Sequence, residues 1–159
     1  MASWQELERG EPEFAARVRA YFEAGAHKTI ATLRRDGSPR ISGIEARFGA
    51  GELMFGGMWR SRKALDLQRD PRFALHSASA DPQGWEGDAK VNGRVEEIED
   101  EARKPALVAD GGGQAPSGRW HLFVAGIREA VVVRLPEARE HLIIEFWREG
   151  EGLRTMERD

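Results

Sequence analysis

Cysteine is absent from the 159 residues. That excludes a disulfide framework, a thiolate zinc site and thiol chemistry, and it makes the cytoplasm the expected location. Long apolar runs are absent too. No window approaches the roughly eighteen residues of a membrane span, so no membrane partner is expected. The opening stretch, "MASWQELERGEPEF", carries acids and no apolar centre and is not expected to act as a signal peptide. Histidine is sparse, and His27, His76, His121 and His141 never fall at helical ligand spacing, so no metal is expected. Neither a P-loop nor a G-x-G-x-x-G fingerprint occurs, which disfavours a nucleotide triphosphatase. A Ser/His/Asp set and well-spaced paired carboxylates are also missing, so the catalytic residues are unknown from the sequence. General basicity is missing as well: the net charge is −3, so nucleic acid is not an expected partner.

What is present is the ordinary mixture of a globular chain, 40% hydrophobic and 32% charged. A chain of this length buries roughly 70% of its unfolded surface. With no internal repeat and no linker, residues 1–159 read as a single domain. "PEFAARVRAYFEA" predicts an amphipathic helix over about 12–24, with Phe14, Val18, Tyr21 and Phe22 on one stripe. The period then changes to two. Strands are expected at 27–34, 39–48, 52–57, 72–77, 88–98, 120–135, 141–148 and 153–158, the first pair turning at Asp36-Gly37. Short helices are expected at 61–69, closed by Asp70-Pro71, and at 100–109. "DGGGQAPSG" at 110–118 is a loop long enough to serve as a lid. Seven or eight strands with tight turns and few short helices predict a mainly β chain, a small antiparallel barrel. Its exposed edges favour dimerisation.

One stretch departs from its background: "ELMFGGMWRSRKALDLQRDPRFALHS", residues 52–77. Five basic residues lie within 60–72 against Asp66 and Asp70. Gly56 and Gly57 end a strand and leave room for a ligand to approach the backbone. Ser61 stands at a helix N-cap position, where free amides attract anions. Arg62 and Lys63 add cations in a first turn whose dipole prefers acids, and a bound phosphate compensates. A plainer reading makes Arg62 and Asp66 a surface i,i+4 pair and the glycines a bulge.

The run "TIATLRRDGSPRISGIEARFGAGELMFGGMWRSRKALDLQRDPRFALHS", with "DAKVNGRVEEI" after it, resembles the pyridoxamine 5′-phosphate oxidase-like, FMN-binding split-barrel family. The likeness is good over 27–98 and loose over 120–158. It implies a split antiparallel β-barrel that forms a homodimer, with two cofactor sites at the interface and a small-molecule substrate. It implies that Arg62 and Lys63 bind the cofactor phosphate with Ser61 beside them. Arg40, Ile41 and Ser42 then run along the phosphate and ring edge, and Gly56 and Gly57 take positions where the family often has a tyrosine and a hydroxyl residue. Asp88 matches a polar position, commonly glutamine, with Lys90 on the same face. Trp147 and Arg154 are the nearest candidates for a tryptophan and arginine from the second subunit, although core packing competes for Trp147. The true oxidases carry a lysine for the vitamer phosphate where this chain has Glu45, so pyridoxamine phosphate oxidation is not expected. The resemblance implies FMN, or alternatively the deazaflavin F420, in an oxidoreductase. The alternative is a flavin-binding or sensing protein that turns over nothing.

Overall fold

The computed structural model describes every residue from Met1 to Asp159. Two helices come first, α1 (Trp4–Gly10) and α2 (Pro12–Glu23). The sequence reading found only the second. The signal for α1 was local, an S-x-x-E capping box: the Ser3 hydroxyl accepts the Glu6 amide at 3.2 Å, and the Glu6 carboxylate accepts the Ser3 amide at 2.7 Å. The Ser3 amide, and the Ser3 hydroxyl donating to the same carboxylate at 2.9 Å, hold the Glu6 carboxyl below the usual range. Trp4 and Leu7 bury the inner side of α1, with the Trp4 ring 4.5 Å from that of Phe48.

The strands follow as β1 (Lys28–Leu33), β2 (Pro39–Ile44), β3 (Ala46–Gly49), β4 (Glu52–Met58), β5 (Arg72–His76), β6 (Gly87–Glu97), β7 (Trp120–Arg134), β8 (Leu142–Arg148) and β9 (Gly152–Arg158). Between them lie α3 (Arg62–Arg69) and α4 (Arg103–Asp110). The expected strand at 39–48 is divided at Glu45, which gives nine strands. At the β1–β2 turn the Asp36 carboxylate accepts the Ser38 amide at 3.0 Å, an Asx-type closure.

All nine strands join one antiparallel sheet, in the order β2-β1-β5-β6-β7-β4-β3, with β8 and β9 continuing from β7. Strand β7 makes the barrel split. One edge pairs with β6 along its length; the other is shared, Trp120–Val124 pairing with β4 and Glu129–Arg134 with β8. A register shift at Asn92/Gly93 turns β6 across β7, and a Cβ on Gly93 would lie 1.9 Å from the Gly126 carbonyl oxygen, so no side chain fits there.

The alternation sorts residues cleanly. Ile30, Leu75, Val91 and Ala130 form a registered inward row, and α2 inserts Phe14, Val18 and Phe22 against the same core. Buried Glu145 on β8 accepts from Arg17 of α2 and from Arg134 Nε at 3.1 Å, fixing that helix over the barrel end. On the other side of β4 and β7, α4 covers a smaller cluster that includes Met54, Leu107, Trp120 and Leu122. The outward row Gly43–Thr29–His76–Lys90–Val131–Phe146–Arg154 crosses seven strands without a covering element. On this outer surface Ile41 is 75% exposed and Met156 44%.

Candidate functional site

Strand β4 delivers Gly56 and Gly57 to the start of α3. A Cβ on Gly57 would lie 3.2 Å from Ser61 Oγ, so this glycine lets the serine come close. Gly56 has only ordinary contacts nearby and faces open space. Ser61 occupies the N-cap position, yet its side chain makes no capping bond, and its buried Oγ has no partner at all. The first turn of α3 contains no acid and begins with Arg62 and Lys63. Lys63 Nζ donates to the Gly43 carbonyl at 2.7 Å, and no carboxylate pairs with it. Burial holds its ammonium below the usual lysine range.

Further along α3 the charges are satisfied. Asp66, 3% exposed, accepts Arg40 Nε at 2.7 Å, Arg69 Nη2 at 2.9 Å and Thr32 Oγ1 at 2.9 Å. Burial would raise this carboxyl, but the three hydrogen bonds outweigh it and hold the group below its ordinary 3.8. The surface pair Arg62–Asp66 is therefore not formed: Asp66 faces inward and is taken by β2 and by the last turn of its own helix. Asp70 pairs instead with Arg72 at 2.6 Å. Arg62 and Lys63, adjacent in sequence, diverge by about 100° around the helix and open onto different hollows. Arg62 shares one of about 820 Å³ with Arg34, Arg35, Arg40 and Arg69. Lys63 lines a more apolar one of about 350 Å³ with Ile44, Glu45, Gly56 and Gly57.

Trp59 and Arg119, which line that smaller cavity, are the outer members of a column of side chains that the sequence does not signal. The Arg119 guanidinium lies 3.6 Å above the Trp59 ring, and Trp59 stacks on His121 at 4.7 Å with 8° between planes. His121 is 2% exposed. Its Nε2 accepts the Arg60 amide at 3.2 Å, so its Nδ1 carries the proton and donates to Glu97 Oε1 at 2.5 Å. Glu97 also accepts Gln68 Nε2 at 2.8 Å, which ties α3 to the same group. Arg60 has φ +58°, a left-handed conformation that costs a non-glycine residue about 1–2 kcal/mol. The His121 bond holds the Arg60 amide, and the Ser61 amide, donating to the Met58 carbonyl at 3.0 Å, closes the turn that presents Ser61. No sequence spacing signals the column, because its members come from the β4–α3 turn, the end of β6 and the start of β7.

The family model described as pyridoxamine 5′-phosphate oxidase matches residues 14–136. The chain belongs to the pyridoxamine 5′-phosphate oxidase-like family. No curated protein matches it. Among solved structures, a pyridoxamine 5′-phosphate oxidase-related, FMN-binding protein from Nostoc punctiforme is similar over 98% of this chain and 99% of its own, with TM-score 0.65 and 14% identity. PhzG from Burkholderia lata, in complex with tetrahydrophenazine-1-carboxylic acid, is similar over 92% of this chain and 86% of its own, with TM-score 0.60 and 15% identity. A protein described as an F420 reductase is similar over 70% of this chain and 94% of its own, with TM-score 0.53 and 20% identity. At these identities the likeness shows the fold, a mainly antiparallel split barrel.

In this family member the remaining expected site residues separate between the two faces of the sheet. Ser42 belongs to the inward row with Ile30, while Ile41 points outward beside it. Asp88 and Lys90 lie two apart on β6, on the outer surface. The Asp88 carboxylate accepts Trp85 Nε1 at 3.3 Å, and its buried Oδ1 makes no hydrogen bond, with His76 Nε2 3.7 Å away. Arg154 is on the same surface, held loosely by Glu151 at 3.3 Å. Trp147 is 8% exposed and packs in the core, the role that competes with cofactor contact. The structure brings together Ser61 with Gly57, Arg40 with Arg62, and Gly56 and Gly57 with Lys63. It keeps Asp88, Lys90, Trp147 and Arg154 apart from them. A phosphate fits the α3 corner: unpaired amides, an orphaned hydroxyl and a desolvated ammonium without an acid all ask for the same anion.

Proposed function

We propose that residues 1–159 form one flavin-binding unit whose α3 N-terminus seats the phosphate of FMN, with F420 as the alternative cofactor, in a cytoplasmic oxidoreductase acting on a small molecule. What carries this reading is Lys63, a desolvated ammonium with no carboxylate partner, beside a helix start that no side chain caps. Lys63 and the first amides of α3 bind the phosphate from one side. Arg62 reaches it from the arginine-rich hollow, where Arg40 remains oriented by Asp66. Gly56 leaves the strand backbone open to a planar ring. Hydride exchange at the ring is the chemistry such a cofactor supplies. The chain's own part is to bind, orient and shield it. Charge-assisted hydrogen bonds contribute roughly 1.5–3 kcal/mol each, so phosphate contacts plus burial of a ring reach the −8 kcal/mol or so of micromolar affinity.

The uncovered outer row supports a homodimer in which the partner presents Asp88, Lys90 and Arg154 to the cofactor edge. Exposed Ile41 and Met156 lie on that surface. Glu45 favours a second reading, a flavin-binding or sensing protein without turnover, because it stands where the family's oxidases carry the lysine for the vitamer phosphate and would repel that phosphate.

Mass spectrometry of the small molecule that co-purifies, with FMN and F420 titrations, tests the cofactor. Arg62→Ala with Lys63→Ala is expected to lose at least a hundredfold in affinity while the fold survives; unchanged affinity sinks the reading. Bleaching by a nicotinamide donor or by reduced F420, then reoxidation by a substrate, separates an oxidoreductase from a sensor.

A further inference from the structure

We propose that Arg119 is the anion-recognising fork of a second ligand, a planar aromatic carboxylate that enters the Trp59-lined cavity. The inference rests on the cofactor reading in that it names the substrate class of the same site. The cavity itself sets the shape. Met54, Trp59, Trp120 and Leu122 make an apolar wall in this cavity of about 350 Å³, whose Gly56, Gly57 and Lys63 the cofactor reading assigns to the flavin, so the second ligand is a compact ring rather than a large polar body.

Its charge sets the chemistry. Three cations line it, Arg47, Lys63 and Arg119, against a single acid, Glu45, which lies 3.4 Å from Arg47. Lys63 is turned to the Gly43 carbonyl and belongs to the phosphate corner. Arg119 is different. It forms no hydrogen bond or ion pair within the chain, and its one strong contact is the Trp59 face at 3.6 Å. With its central carbon over the ring face, the Arg119 guanidinium leaves its N–H groups without partners in the chain, and those are the groups that bind a carboxylate bidentately.

The fork is also held in place. Trp59 is backed by His121, whose ring is fixed at one nitrogen by Glu97 and at the other by the Arg60 amide. His121 and Glu97 are thus positioning residues for Arg119. A guanidinium already oriented loses less freedom when a carboxylate arrives, so charge recognition here favours a ligand that brings an apolar ring and an anion together.

The test compares 2-naphthoate with its neutral counterpart 2-naphthamide by titration calorimetry, on FMN-loaded and cofactor-free protein, for the native chain and for Arg119→Gln. The native chain is expected to prefer the carboxylate by tenfold or more, and Arg119→Gln to bind both equally. Arg119→Lys keeps the charge without the fork and is expected to retain only a few-fold preference. Equal binding by the native chain, or an undiminished preference in Arg119→Gln, overturns the assignment. FMN and F420 titrations on the same proteins report the phosphate corner separately. If neither cofactor binds but the Arg119-dependent preference is present, the cofactor reading falls and the fork stands.

Discussion

Two helices of this chain begin on serine, and they begin differently. At α1, Ser3 accepts the Glu6 amide and Glu6 accepts the Ser3 amide, so the turn is completed by its own residues. At α3, Ser61 makes no capping bond and its hydroxyl is buried alone, with Arg62 and Lys63 where a first turn favours acids. One helix end is finished by the chain; the other is left for something from outside. The same contrast divides α3 along its length. Asp66 and Asp70 absorb Arg40, Arg69 and Arg72, whereas Arg62 and Lys63 have no acid. Pairing, rather than the count of charges, marks the part of a basic cluster that is available to a ligand.

The contrast breaks most strongly at Asp66. Asp66→Asn leaves Arg40 and Arg69 without their carboxylate, and only one amide oxygen remains for the three donors that the two carboxylate oxygens satisfied. Losing one partner of a buried pair costs about 3–5 kcal/mol; here about 2–3 kcal/mol is expected, because the arginine side chains keep 25% and 33% exposure. A urea titration reads this as a lower midpoint at unchanged slope. The pH dependence has a definite sign. The folded-state carboxyl lies below its ordinary 3.8, so its contribution is fully present above that value and is lost as pH falls through the depressed range. The Asn variant is expected to lack that acid-side loss.

Lys63→Met sharpens the comparison from the unpaired side. Removing a desolvated ammonium that lacks an acid is expected to leave the urea midpoint unchanged or slightly raised. FMN affinity is expected to fall by about tenfold to a hundredfold, the loss of one charge-assisted bond of roughly 1.5–3 kcal/mol. A stability loss without an affinity loss would make Lys63 a structural residue tied to Gly43.

Much of the fold was legible because its signals are local. Asp36-Gly37 turns one hairpin, Asp70-Pro71 stops α3, and alternation marks β5, where Phe73 and Leu75 face inward between Arg72, Ala74 and His76. The break at Glu45 was not legible, since Ile44, Ala46 and Phe48 alternate straight across it and only the barrel's closure makes two strands of it. The charge of the site was readable at Arg62 and Lys63. Its division was not: Asp66 meets Arg40 across 26 positions, and His121 meets the Arg60 amide across 61. Such pairings depend on which strands become neighbours, which no window of sequence contains. The capping box at Ser3 is the opposite case, a local signal overlooked because the acidic N-terminal stretch lacks a long apolar stripe.

The smallest effects test the two serines directly. Ser3→Ala removes a working cap and is expected to cost about 1 kcal/mol, read as a lower urea midpoint with no change in FMN affinity. Ser61→Ala removes a hydroxyl that makes no bond in the free protein, so its stability is expected to stay within about 0.5 kcal/mol or to rise, since an orphaned polar atom is relieved of its burial. FMN affinity should drop only a few-fold, because the amides and Lys63 remain. If Ser61→Ala instead destabilises the chain as much as Ser3→Ala, then Ser61 is an ordinary cap, α3 is finished by its own chain, and the case for a phosphate seat there loses its strongest geometric support.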